Sequence, residues 1–243
     1  MIDLVIPLGW GSQWFNQELK YSLRSFDMFV SGIRNLVIVT DLSGFPDFLN
    51  DSVLHIPCPD ATNLAAVNTY KKIHKACMDK RVSDDFLLSN DDFFINRPFK
   101  AEEYPYYYRG EIMSNWEAIP NKTSHYSVSR KITSAILKKR GYLTRHFGIH
   151  VPFLINKEKF LALDKLFPWE KSQGLLTRSI YGNYYGLTAT QKADVKLQFK
   201  APVWRLTQII STFDVYSIGD QACSPDLWKY FEQRFPQKSR FER

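Results

Sequence analysis

In Ser89-Asn90-Asp91-Asp92-Phe93-Phe94, two adjacent carboxylates stand directly behind the apolar run of Asp85 to Asn90. Like charges this close raise one another's pKa unless a cation or hydrogen-bond donors compensate. A divalent metal, Mg²⁺ or Mn²⁺, is a natural compensator. Held by Asp91, Asp92 and the oxygens of a diphosphate ligand, it would neutralise a phosphate leaving group. The same pair also suits a polar turn that caps the next element. His150, in the apolar run Phe147 to Phe153, has the chemistry of a general base or a phosphate ligand, and equally that of a packed core histidine. Arg178, after Leu175-Leu176-Thr177, offers a planar fork to a diphosphate or an ordinary surface charge. Asp220, after Ser217-Ile218-Gly219, is a third candidate metal ligand or part of a solvated loop. His55, His74, His125 and His146 make weaker cases, two within regular elements and two beside a basic stretch.

The elements that must position these residues follow from periodicity. Ile2 to Leu8 reads as a buried strand opening into a loop at Gly9 and Gly11. Leu19, Leu23, Phe26 and Val30 predict an amphipathic helix over Asn16 to Val30, and Asn35 to Thr40 a β-branched strand ending at Asp41. This βαβ opening predicts an α/β fold with a mostly parallel sheet flanked by helices. A short strand at Val53 to Ile56 and a helix from Thr62 to about Arg81 lead to the strand Asp85 to Asn90, which delivers the acid pair at its carboxyl edge, where open sheets bind ligands. Further on, the pattern predicts an aromatic strand around Tyr104 to Met113 and helices from about Ser127 to Arg140, Lys157 to Leu166 and Pro225 to Phe235. No repeat or linker interrupts the chain, so one domain over 1–243 is expected.

Composition excludes disorder: 44% of the 243 residues are hydrophobic and 15% aromatic, enough to fold around a core. Cys58, Cys77 and Cys223 form no CxxC pair and read as packed, reduced thiols. The start MIDLVIPLGW reads as a strand rather than an export leader, and no apolar stretch approaches the roughly 18 residues of a membrane span, so a cytoplasmic protein is expected. The net charge of +7 is local, since no acid occurs between Glu117 and Glu158 while eight Lys and Arg do. A basic helical insertion at about 120–146 is therefore expected, and it points to an anionic partner: an anionic polysaccharide, a lipid-linked glycan at a membrane surface, or DNA.

Taken together these pieces resemble the Stealth family of sugar-phosphate transferases. Ile2-Asp3-Leu4-Val5 is similar to its first block, Glu18-Leu19-Lys20-Tyr21-Ser22-Leu23-Arg24-Ser25 to its ELRYSLRS run, and Val39-Thr40-Asp41 to the VTD that ends its next strand. Asn90-Asp91-Asp92 resembles its NDD, His150-Val151-Pro152 its His-x-Pro block, Arg178 its late arginine and Ile218-Gly219-Asp220 its terminal LND-like element. The resemblance implies a GT-A-like nucleotide-sugar fold with a nucleotide-sugar donor. Asp3, Arg24, Asp41 and Arg178 would bind that donor, Asp91, Asp92 and Asp220 the metal, and Asp92, His150 and Arg178 would carry the chemistry.

Ile6-Pro7-Leu8-Gly9-Trp10-Gly11 departs from the family's first block toward the opening strand of ordinary GT-A glycosyltransferases. Metal-assisted glycosyl transfer to an acceptor is thus the leading expectation, with sugar-1-phosphate transfer for capsule polysaccharide as the alternative. A non-catalytic nucleic-acid-binding protein is the reading from a different class.

Overall fold

The computed structural model describes residues 1–9, 12 and 14–243; the expected loop positions Trp10 and Gly11 lie outside the described residues. The chain begins with β1 (Ile2–Pro7), α1 (Gln17–Phe29), β2 (Val30–Ser31), β3 (Ile33–Thr40), β4 (Leu54–Pro57), α2 (Ala65–Met78), β5 (Asp85–Leu88) and β6 (Phe93–Ile95). It continues through β7 (Phe99–Lys100), β8 (Tyr107–Tyr108), α3 (His125–Lys139), β9 (Phe153–Asn156), α4 (Lys157–Ala162) and α5 (Thr177–Tyr184). β10 (Thr190–Gln191), β11 (Lys196–Leu197), α6 (Val203–Ile210), β12 (Val215–Ile218) and α7 (Pro225–Arg234) complete it.

The central sheet has the order β4-β3-β1-β5-β9, with only β9 antiparallel to its neighbour. The mostly parallel α/β expectation holds. Because strand residues alternate between faces, the sheet feeds two cores. Val5, Val37, Val39, Phe86 and Leu88 pack on one side with Tyr70, Ile73 and Cys77 of α2. Leu4, Ile6, Leu36, Ile38 and Leu87 pack on the other with Leu19, Leu23 and Phe26 of α1. A smaller sheet, β11-β12-β6, carries a third core in which Phe94 and Tyr216 stack at 5.2 Å under α6 and α7.

The Asn90 to Asp92 turn bridges these two sheets, leaving β5 and entering β6. The YSLRS run fixes it there: Ser22 Oγ donates to the Phe93 carbonyl at 2.5 Å, and Ser25 Oγ accepts from the Ile95 N–H at 2.9 Å. Both serines are fully buried, so each bond replaces a solvent partner that the backbone of β6 has lost. The chain's last residues fold back over α1 and the segment 48–50, where Phe241 is buried and Glu242 forms an isolated bridge with Leu49.

Three expectations change. The aromatic segment Tyr104 to Met113 is strand only at Tyr107–Tyr108, since its tyrosines pack into cores through turns rather than along a ladder. The helix expected to run to Leu166 ends at Ala162. The basic helix is real, but Arg130 points inward to the Ile112 carbonyl. No described helix is long and apolar enough to cross a membrane, and all three cysteines are buried and free.

Candidate functional site

The acid turn sits at the carboxyl edge of β5 between two cavities. Asp91 lines both a cleft of about 580 Å³ and a smaller cavity of about 280 Å³, which it shares with Asp92, Glu18 and Asp220. Asp92 Oδ2 accepts from Ser217 Oγ at 2.8 Å and faces Lys196 Nζ at 3.3 Å, while its Oδ1 is buried with no partner among the described residues. Glu18 Oε2 is likewise buried and unpartnered. Burial, then the charges of Asp92 and Glu18, raise the Asp91 carboxyl to about 7. A group held up in this way binds either a proton or a cation.

Across the cleft, His150 meets an acid that the sequence had not suggested. Its Nδ1 lies 2.8 and 2.9 Å from the two oxygens of Asp194, and its backbone N–H donates to the same carboxylate at 3.1 Å. A hydrogen on Nδ1 leaves the Nε2 lone pair free. Burial alone would raise Asp194, but the hydrogen bonds and charge of His150, with the charge of Arg109, hold it well below the usual carboxylate range. Arg109 Nη1 pairs with Asp194 at 2.8 Å, and its Nη2 donates to the Tyr126 hydroxyl at 2.9 Å. Behind them His146 is buried, and burial with the charges of Arg109 and Arg130 pulls it down to about 3, so it stays neutral.

Arg178 belongs to the same cleft in a role other than the one expected. Its Nη1 donates to the carbonyls of Ile149 and Val151, which flank His150, and its Nη2 to Asn90 Oδ1. The guanidinium lies 5.4 Å from the Phe93 ring, and burial lowers it to about 10 against the attraction of Asp92. It ties the histidine loop to the acid turn instead of presenting an open fork. The groups free to meet an anion are others. α2 and α5 both start without a side-chain cap, and Ala65, Ala66, Thr177 and Ser179 of their first turns line the cleft together with Lys196. First-turn N–H groups have no partner within their own helix, so two positive helix ends converge on one cavity.

Asp91, Asp92, His150, Arg178 and Asp220 therefore gather at one edge of the fold. Asp3, Arg24 and Asp41 do not serve it. Asp3 lies at the opposite, amino end of β1, fully buried, and holds Arg34 at 2.7 Å and the Ser83 N–H at 2.8 Å. Arg24 forms a two-pronged pair with Glu242 at 2.7 and 2.8 Å that fastens the chain's end to α1. Asp41 caps the short turn Leu42–Gly44 by accepting from the Leu42 N–H at 2.6 Å. These side chains are spent on structure.

Among the described residues no group of three His, Cys, Asp or Glu is arranged to hold an ion, so Asp91, Asp92 and Asp220 do not form a closed cage. Lys196 already balances one oxygen of Asp92.

The basic stretch is not a uniform anion-binding face either. Lys122 pairs with Glu117, Arg130 is buried, Arg140 stacks on Phe167, and Lys157 donates to the Asp79 and Val82 carbonyls.

Asp194, Arg109 and Lys196 were missed by sequence reasoning. Asp194 lies 44 residues beyond its partner in irregular chain, and only the alternation of Asp194-Val195-Lys196-Leu197 hinted that polar side chains share one face.

No family model matches the chain. It is 31% identical over 169 residues to the exopolysaccharide phosphotransferase CpsY of Mycobacterium leprae, a match covering 63% of this chain and 30% of that protein. An exopolysaccharide phosphotransferase of Streptomyces coelicolor is 28% identical over 166 residues, covering 62% and 17%. CpsY of Mycobacterium tuberculosis is 27% identical over 168 residues, covering 63% and 31%. The chain thus spans less than a third of the length of these curated relatives. Through nearly two thirds of its own length, it is similar to transferases named for exopolysaccharide, as the resemblance to the Stealth family implied.

Proposed function

We propose that the cleft binds a nucleotide sugar and transfers its sugar-1-phosphate to a hydroxyl of a glycan acceptor. The observation that carries this reading is the convergence of Asp91, the His150–Asp194 dyad and two uncapped helix ends on one cavity, with Asp92 beside Asp91 in the adjoining smaller one. A mostly parallel sheet in which β5, beside the central β1, delivers adjacent acids at its carboxyl end also fits the GT-A-like expectation. The relatives' name favours sugar-phosphate transfer over the glycosyl transfer expected from the opening strand.

His150 Nε2 takes the proton of the acceptor hydroxyl while Asp194 keeps Nδ1 protonated and the ring in place. The acceptor oxygen attacks the phosphorus that bears the sugar. The bond to the bridging diphosphate oxygen breaks, and a nucleoside monophosphate leaves. Lys196, Arg109 and the N–H groups of α2 and α5 stabilise charge on the phosphates. Arg178 fixes the distance between base and acid turn through Ile149, Val151 and Asn90.

The orphaned oxygens of Asp92 and Glu18, beside the raised Asp91, fit a divalent cation, Mg²⁺ or Mn²⁺, which takes one or two carboxylates and completes its shell from substrate phosphate. Such a cation would neutralise the diphosphate.

The test is product identity in the presence of Mn²⁺. A nucleoside monophosphate, with its loss in Asp92→Asn, supports the reading. A nucleoside diphosphate would return it to glycosyl transfer, and full activity of Asp92→Asn would remove the acid pair from the chemistry.

A further inference from the structure

Behind the wall that carries His150 and Asp194 lies a second cavity, of about 500 Å³. The wall is two short segments, 149–151 and 193–195, whose successive residues turn to opposite sides, as extended chain requires. His150 and Asp194 line the cleft; Val151, Ala193 and Val195 line the second cavity, and Ile149 touches both. The far side of this cavity is aromatic. Tyr104 packs against Phe99 with centroids 4.6 Å apart and against Tyr107 at 6.0 Å.

Two cations line the same cavity. Lys192 Nζ lies 4.0 Å from the Tyr107 centroid, while Arg97 pairs with Asp214 at 4.0 Å, both side chains largely exposed, and donates to the Ser211 carbonyl at 3.5 Å. Neither takes part in the transfer step described above, and neither supports the fold by burial.

Aromatic faces complement the C–H faces of a sugar ring, and adjacent cations complement a phosphate. The chemistry of the cleft supplies a ligand with both features. Each sugar-1-phosphate transfer leaves a phosphodiester, so an acceptor that has already been extended alternates sugar rings with single negative charges.

We propose that this cavity is a subsite for a sugar-phosphate unit of the acceptor chain, away from the hydroxyl that reacts. The proposal rests on the transferase reading, and its test separates the two. Lys192→Glu reverses an exposed charge, and Tyr107→Leu removes one ring from a half-buried position; neither residue lines the cleft. The probes are synthetic phosphodiester-linked trimers of glucose, mannose or N-acetylglucosamine, with the corresponding single sugars and uncharged glycosidic trimers as controls.

In calorimetry without donor, a phosphodiester trimer should bind the wild-type protein and bind each variant about tenfold more weakly, a loss of about 1.4 kcal/mol. In turnover, KM for that trimer should rise by the same factor with kcat unchanged, while single-sugar kinetics stay as they were. Failure of all three phosphodiester trimers to bind, equal affinity for variants and wild type, or equal affinity for the uncharged trimer would overturn the subsite. Donor-free trimer binding that is lost in the variants, from a protein that turns over no nucleotide sugar, would uphold the subsite and defeat the transfer reading instead.

Discussion

Replacing Asp194 by Asn changes one atom at the hinge of the proposed chemistry. The carboxylate accepts from His150 Nδ1 at 2.8 and 2.9 Å, from the His150 N–H at 3.1 Å and from the Val195 N–H at 2.9 Å, and pairs with Arg109 at 2.8 Å. An amide can still accept the backbone N–H groups through its oxygen. Its NH₂ group, however, donates toward His150 Nδ1, which favours the tautomer with its hydrogen on Nε2, where the proposed reaction needs a lone pair.

A positioned general base contributes about 10² to 10⁴ in rate, so kcat should fall by about 10² to 10³ while donor affinity, set by the acid turn and the helix ends, changes by less than about threefold. Weakening charged hydrogen bonds should also cost about 2 kcal/mol of stability, or about 4–8 °C in Tm for a chain of this size. Assays about 20 °C below the variant's Tm keep the two effects apart. Steady-state turnover, donor titration and a thermal melt on the same preparation measure all three. A variant that keeps kcat within about threefold of wild type would refute the dyad, whatever its melting temperature.

Arg24→Met should lower stability by about 3 kcal/mol, because it leaves the nearly buried Glu242 charge unpaired, yet leave donor affinity unchanged; denaturant titration and donor binding check this, and a donor-specific loss would restore Arg24 to the site. Mn²⁺ affinity should fall as pH drops through about 7, since Asp91 holds its proton below that value. Without the cation, folding stability should correspondingly decline as pH rises from the ordinary carboxylate range through about 7, and Mn²⁺ should restore it. Melts at about pH 6 and about pH 8, with and without Mn²⁺, measure this, and an equal Mn²⁺ shift at both pH values would exclude Asp91 from the cation site. Ser22→Ala should cost about 1–2 kcal/mol by stranding the buried Phe93 carbonyl; an unchanged unfolding midpoint would show that the YSLRS serine does not brace β6.

The central sheet was legible because its strands are continuous apolar runs and its first helix repeats Leu19, Leu23 and Phe26 at helical spacing. The acid pair was legible for the same reason: charge directly after a buried strand can only emerge at a sheet edge. Asp3 and Arg24 misled because a charged residue inside a recognisable motif suggests ligand binding, whereas here each belongs to an ion pair with a buried carboxylate. Position along the strand decides the matter for Asp3, since the amino end of β1 is the far side of the sheet from Asp91. Asp194, Lys196 and Arg109 were illegible because they stand on two-residue strands and turns with no period to read, and reach the cleft through long-range pairing alone.

The bridging position of the acid turn makes the spacing of its carboxylates a property of the whole molecule. Asp91 faces the chamber built on the large sheet, whereas Asp92 is moored to Ser217 and Lys196 of the small one. Any slackening between the layers, for instance by trimming Phe94 or Tyr216 deep inside, should be felt first as altered metal preference, long before the protein loses its shape.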